Sequence, residues 1–152
     1  MRLTTKGRYA VTAMLDIALN HQHGPVSVTE VAERQNISAA YLEQLFGKLK
    51  RSGLLRSVRG PGGGYELCRG LAAISVSDII SAVGEGVDAT RCQGTADCQE
   101  GATCLTHDLW TALSDEIDGF LSAITLERLV AGRDGEVPGV LPESPLIQAR
   151  QL

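Results

Sequence analysis

No apolar run in this chain approaches the roughly 20 residues that a membrane-spanning helix needs, so a transmembrane protein of that kind is not expected. Catalytic patterns are equally scarce. The sequence has no nucleophile elbow, no Ser-His-Asp pattern and no paired-carboxylate stretch, and it holds only three histidines. His21 and His23 read as solvated loop residues, and Asp115, Glu116 and Asp118 as the wet face of a helix. The glycine-rich run Gly60-Pro61-Gly62-Gly63-Gly64 lacks a G-K-S/T continuation and a following helix, which argues against a phosphate loop. No internal repeat is present. The chain is therefore not expected to be an enzyme.

Secretion signals are also wanting. Arg2, Lys6 and Arg8 precede the apolar stretch Ala10–Leu19, but Asp16 interrupts it and no small-residue cleavage site follows. That pattern describes an amphipathic helix rather than a signal peptide. A cytoplasmic protein is expected.

Cysteine is sparse but concentrated. Of four cysteines, three fall in one glycine-rich tract with a histidine, Cys92, Cys98, Cys104 and His107, at spacing C-x5-C-x5-C-x2-H. Cys68 lies apart and reads as a thiol packed in a hairpin. A domain of this length buries about 68–70% of its unfolded surface and needs no covalent staple. An odd trio of thiols also makes a poor disulfide framework. Thiolates suit iron–sulfur clusters, zinc or Cu(I). Structural zinc favours ligand pairs two to four residues apart, whereas these cysteines are five apart with no C-x-x-C. Three thiolates and an imidazole complete the four terminal ligands of a [2Fe–2S] cluster. Zinc, or an unliganded reactive-thiol loop, remains the alternative on residues alone.

Charge divides the chain. Residues 1–70 carry ten Lys/Arg against five Asp/Glu, and residues 71–152 carry four against thirteen. A basic first half suits a polyanion and an acidic second half would repel one.

Periodicity predicts a helix over Thr5–Asn20, with Tyr9, Ala13, Ile17, Leu15 and Leu19 marking its apolar faces. Ser27-Val28-Thr29-Glu30 is a capping box opening a second helix through Gln35. Asn36-Ile37-Ser38 makes a tight turn, and a third helix runs from Ala39 to about Ser52. This is a helix-turn-helix candidate spanning about Val28–Arg51. Leu42, Leu45, Phe46 and Leu49 form the inward stripe of the third helix. Tyr41, Gln44, Lys48 and Arg51 share another face.

Leu54–Arg59 and Tyr65–Leu67 predict two short strands around the glycine tip, and this order is that of a winged helix. A tip with no side chains, beginning at Gly60, can approach a DNA backbone, and Arg59 at its base can enter a narrow minor groove. Ser75–Val83 predicts a further helix capped by Ser77 or Ser75. Leu105, Leu109, Leu113, Ile117, Leu121 and Ile124, with Trp110 and Phe120 adjoining, predict a long helix suited to pairing with a second copy. Thr106 is placed to cap it, which puts His107 in its first turn. Thr125–Val130 adds a last turn or two.

The expected organisation is a mainly α chain with four parts. These are a winged helix-turn-helix over 1–83, a cluster-binding loop over 84–104, a dimerisation helix region over 105–130 and a disordered tail over 131–152.

From Met1 to about Val130 the chain resembles the IscR family of iron–sulfur cluster regulators, winged-helix transcription factors. The resemblance rests on Met1-Arg2-Leu3-Thr4 with Lys6-Gly7-Arg8-Tyr9-Ala10-Val11, on Tyr41-Leu42-Glu43-Gln44-Leu45-Phe46 and on Ser57-Val58-Arg59-Gly60-Pro61-Gly62-Gly63-Gly64-Tyr65. It also rests on Asp88-Ala89-Thr90-Arg91-Cys92-Gln93-Gly94 and Cys104-Leu105-Thr106-His107.

It implies a homodimer that represses and activates promoters of cluster-biogenesis genes. Each subunit would hold one [2Fe–2S] through Cys92, Cys98, Cys104 and His107, supplied by the iron–sulfur assembly machinery. It implies a nucleoid-associated protein bound to double-stranded operators. Tyr41 and Gln44 would contact backbone or bases, Arg59 the minor groove, and Glu43 would discriminate between two operator classes. An iron–sulfur carrier, or a zinc-stabilised regulator, is the competing reading.

Overall fold

A computed structural model of the chain describes residues 3–89, 95, 96, 99 and 102–132. Cys92, Cys98 and the expected tail beyond Gly132 lie outside the described residues. Helix α1 spans Thr5–Asn20, α2 Val28–Gln35 and α3 Ala39–Arg51. The hairpin strands are β1, Leu55–Val58, and β2, Gly64–Leu67; α4 is Val76–Ala82, α5 His107–Ala123 and α6 Leu126–Ala131. Single 3-10 turns at His21–His23 and Leu71–Ala73 join them.

The helix-turn-helix is built by local chemistry. Ser27 Oγ accepts the Glu30 N–H at 3.2 Å, and Glu30 Oε2 accepts the Ser27 N–H at 2.8 Å. This reciprocal cap satisfies two amides that α2 would otherwise leave unpaired. Asn36 closes α2 in the left-handed region at φ 54°, which asparagine tolerates better than most residues. Ser38 then accepts the Tyr41 N–H at 3.4 Å to start α3. Leu42, Leu45, Phe46 and Leu49 are all buried, as their spacing requires. Each contributes roughly 1.5–3 kcal/mol of burial.

The burial of α1 differs from the apolar faces its sequence suggests. Its core residues are Ala10, Ala13, Met14, Ile17 and Ala18. Leu15 and Leu19 are only half-buried and Tyr9 is exposed. The small residues Ala10, Ala13 and Ala18 let α1 lie close against its neighbours, with Met14 and Ile17 filling the core between them. Asp16, read as an interruption, is buried too. It accepts from Arg34 Nη2 at 2.8 Å and from Gln35 Nε2 at 2.8 Å, pinning α1 to α2.

The antiparallel hairpin pairs Leu55 with Leu67, Arg56 with Glu66, Ser57 with Tyr65 and Val58 with Gly64. Val26 adds a one-residue third rung, exchanging hydrogen bonds with Tyr65 at 3.0 and 2.7 Å. A Cβ on Gly64 would lie 2.4 Å from the Val26 oxygen, so this contact requires glycine. Phe46 meets the Tyr65 ring edge-on at 4.9 Å and fixes the hairpin to α3. Cys68 is exposed, not packed inside the hairpin.

Ser75, rather than Ser77, caps α4; Ser77 instead donates to Asp118 on α5 at 2.9 Å. The chain breaks helix between α5 and α6, where Val76 donates to the Ile124 oxygen at 2.8 Å and Leu126 to the Ile74 oxygen at 3.0 Å. Leu126 is completely buried, so α6 returns to the core around α1.

Candidate DNA-reading surface and ligand tract

The exposed side of α3 carries Glu43 and Gln44, with Tyr41 and Lys48 half-buried beside them. Tyr41 is held by Tyr9 of α1, whose ring meets it edge-on at 5.9 Å. Lys50 Nζ donates to Ser57 Oγ at 2.9 Å and ties α3 to the wing. Arg56 forms an exposed ion pair with Glu66 at 2.9 Å across the hairpin. Arg59 and Gly60 stand exposed at the wing tip. Gly60 has φ 102° and open space where a side chain would sit. The Lys50–Ser57 hydrogen bond and the Phe46–Tyr65 ring contact thus hold the wing against α3.

Contact with the Lys6 ammonium holds Lys48 below the usual lysine range, with burial and the Arg51 charge acting in the same direction. Sequence spacing put Lys48 on one face of α3 with Tyr41 and Gln44 but gave no sign of Lys6. Lys6 and Lys48 are brought together only by the packing of α1 on α3.

Helix α5 begins at His107, two residues later than the apolar repeat begins. Thr106 occupies its N-cap position but its hydroxyl makes no cap. That oxygen instead accepts the Trp110 indole N–H at 2.9 Å. Cys104 and His107 are joined by a turn in which the His107 N–H donates to the Cys104 oxygen at 3.2 Å. Both are half-buried, and His107 Nε2 lies 3.4 Å from the Thr111 hydroxyl. The segment before them is tied down by the Ala89 N–H, which donates to Ser114 Oγ on α5 at 2.7 Å.

Among the described residues no three metal-ligating side chains converge, since Cys92 and Cys98 fall outside them. Two of the four donor residues, Cys104 and His107, are joined by one backbone turn at the start of α5. That pair fits a soft-metal or iron–sulfur centre completed by two further thiolates.

The α5 helix has no buried residue. Leu105 is fully exposed, and Leu109, Trp110, Leu113 and Phe120 are exposed along it. Among the described residues no helix is long and apolar enough to cross a membrane.

A helix-turn-helix, an antiparallel wing and an exposed α3 face define a mainly α winged-helix transcription regulator. Comparisons with known proteins agree. Residues 3–132 match the family model Rrf2, described as an iron-dependent transcriptional regulator. The chain belongs to that family.

It is 60% identical over 134 residues to the HTH-type transcriptional regulator IscR of Escherichia coli O1:K1, covering 88% of this chain and 83% of that one. The structure of CymR, the global cysteine regulator of B. subtilis, superposes with a TM-score of 0.75 at 34% identity, covering 86% of this chain and 97% of CymR. T. potens IscR superposes with a TM-score of 0.71 at 35% identity, covering 97% and 96%. These relatives are regulators, and the chain is a regulator rather than an enzyme.

Proposed function

We propose that this chain is a cytoplasmic, homodimeric, DNA-binding regulator of iron–sulfur cluster biogenesis genes that reports cluster status through one [2Fe–2S] per subunit. The observation that carries this reading is the placement of Cys104 and His107 together at the start of α5, in a chain 60% identical to a protein named IscR. The fold by itself does not select the ligand, because CymR shares it and is named for cysteine. The tract C-x5-C-x5-C-x2-H, with no C-x-x-C pair, is what favours an iron–sulfur cluster over zinc.

Cys92, Cys98, Cys104 and His107 would hold the cluster, within a loop over residues 84–104. When bound, such a group supplies a signal that depends on iron, sulfide and oxidant. The residues around it orient and transmit. Thr111 lies against the imidazole, and Ser114 ties the incoming segment to α5. Residues 105–130 would pair two copies through the exposed stripe of α5. Two copies of the head, residues 1–83, would then present their α3 helices to successive major grooves about 34 Å apart. Tyr41, Gln44 and Lys48 lie on the face directed at the groove, and Arg59 and Gly60 meet the flanking minor groove.

Glu43 acts as a filter. A carboxylate accepts from cytosine N4 and repels phosphate and base acceptors, so its exposure makes an operator lacking such a donor unfavourable. Cluster loading would relieve that penalty at one operator class and leave a second class indifferent.

The test is purification without air, followed by visible absorption, iron and sulfide analysis, and operator binding before and after cluster loss. Colour with matched iron and sulfide, and one operator class that loses affinity on cluster loss, is the expected result. A colourless protein containing zinc supports the zinc-stabilised alternative. Cluster donation to acceptor proteins without sequence-specific footprints supports the carrier.

A further inference from the structure

Thr106 lies between Cys104 and His107 in sequence and serves neither the helix end nor the core. It holds the N-cap position of α5, where a threonine hydroxyl ordinarily accepts an amide N–H of the first turn. Here it makes no such bond, and the residue is exposed. Its hydroxyl has two other neighbours. The oxygen accepts the Trp110 indole N–H at 2.9 Å, and it lies 4.0 Å from Cys104 Sγ. The Trp110 backbone N–H also donates to the Thr106 carbonyl, at 3.2 Å. One helical turn therefore holds indole and hydroxyl together.

The direction of each contact follows from the partners. An indole N–H only donates, so the Thr106 oxygen is its acceptor and the hydroxyl proton points elsewhere. A sulfur that ligates a metal does so as a thiolate and has no proton to give. Between Thr106 and a ligating Cys104, the hydroxyl is thus the donor and the sulfur the acceptor. A charged acceptor shortens and strengthens such a bond.

We infer that the Thr106 hydroxyl, oriented by the Trp110 indole, donates to the Cys104 sulfur of the bound cluster and sets how readily that cluster is reduced. Thr106 is a positioning residue, not a ligand. The inference rests on the cluster-binding reading above. Reduction by an external donor adds one electron to the cluster and raises the negative charge at its terminal sulfurs. A hydrogen bond to one of those sulfurs favours the reduced form and makes the potential more positive.

The experiment compares the full chain with Thr106→Val, which keeps the side-chain shape and loses the hydroxyl, and with Thr106→Ser, which keeps the hydroxyl. Neither change removes a helix cap. Each protein is purified without air, its iron and sulfide are measured, and its visible absorption is titrated with dithionite and redox mediators. A wild-type chain without iron and sulfide overturns the cluster-binding reading and this inference with it. With the cluster present, Thr106→Val is expected to shift the midpoint to a more negative potential, and Thr106→Ser to stay near wild type. Equal midpoints in wild type and Thr106→Val overturn the inference and leave the cluster-binding reading standing.

A second measurement needs no cluster. Trp110 is the single tryptophan of the chain, so its indole N–H gives one proton–nitrogen signal in isotope-labelled protein. In the cluster-free state that signal should move, and exchange with water severalfold faster, in Thr106→Val but not in Thr106→Ser. An indole signal unmoved by loss of the hydroxyl overturns the inference, whether or not the valine variant holds a cluster.

Discussion

Glu85 and Gly7 are 78 positions apart, yet a carboxylate oxygen of Glu85 accepts the Gly7 backbone N–H at 2.9 Å. The same oxygen accepts the Thr4 N–H at 3.1 Å. Thr4 provides no side-chain cap to its own helix, so the residue just after α4 caps α1 instead. A Cβ on Gly7 would lie 2.3 Å from that oxygen, which makes glycine the residue that permits the approach.

This cap has a pH signature. Burial pushes the Glu85 carboxyl up, but hydrogen bonds from Thr4 and Gly7 and the Lys6 charge outweigh it, so it sits below its usual value of 4.5. A depressed carboxylate stabilises the fold above its unfolded pKa, and that contribution is lost as pH falls through the folded one. Glu85→Gln should therefore cost about 1 kcal/mol near neutrality, the scale of a lost cap. Its deficit relative to wild type should shrink below about pH 4.5. Urea unfolding at several pH values measures this, and a deficit that grows with acid would contradict it.

Removing Arg34 should be costlier than removing an ordinary surface charge. Asp16 is 2% exposed and takes hydrogen bonds from Arg34 and Gln35. Arg34→Ala leaves a buried carboxylate with one neutral donor, at roughly 2–4 kcal/mol. Arg56→Ala breaks a solvent-exposed pair and should cost about 0–1 kcal/mol. Thermal melts of the two variants should rank in that order.

The exposed stripe of α5 predicts its own test. Leu113→Lys places a charge among Leu109, Trp110 and the apolar residues beyond, while touching no buried side chain of α5. Sedimentation should show monomers with an unaltered helical content. Affinity for a two-half-site operator should fall by at least tenfold, because the two heads then bind separately.

Glu43→Ala should let cluster-free protein bind the operators otherwise reserved for the loaded form. Glu43 is exposed on α3 and supports no part of the core, so its folding stability should stay within about 0.5 kcal/mol of wild type. Gel-shift titrations on both operator classes check this, and unaltered discrimination would remove the role assigned to the carboxylate.

The helix-turn-helix was legible because its signals are local. The Ser27–Glu30 box, the Asn36 turn and the four-residue stripe of α3 each act within a few positions, and the chain folds there as those signals direct. What spacing could not show were pairings between distant segments. The one-residue Val26 rung has no period, and Asp16 looked like an interruption because its partner Arg34 lies on another helix. Glu85 could not be matched to α1 by any pattern.

Of the residues expected to mark the apolar faces of α1, Ala13 and Ile17 are buried, whereas Tyr9, Leu15 and Leu19 stay outside the core. The buried stripe is Ala10, Ala13, Met14, Ile17 and Ala18. At the ligand tract, residue type and spacing put His107 in the first turn of α5, although Thr106 serves Trp110 rather than the helix end.

The return of the chain at Leu126 bears on how this molecule can be cut. Leu126 is completely buried in the core cluster that also holds residues of α1, α3 and α4, and losing a leucine from such a place costs about 2–5 kcal/mol. A fragment ending before α6 would keep α3 and the wing and still carry a hole in the core they share. The smallest piece able to stand alone on a promoter must therefore include the sequence on the far side of the ligand tract.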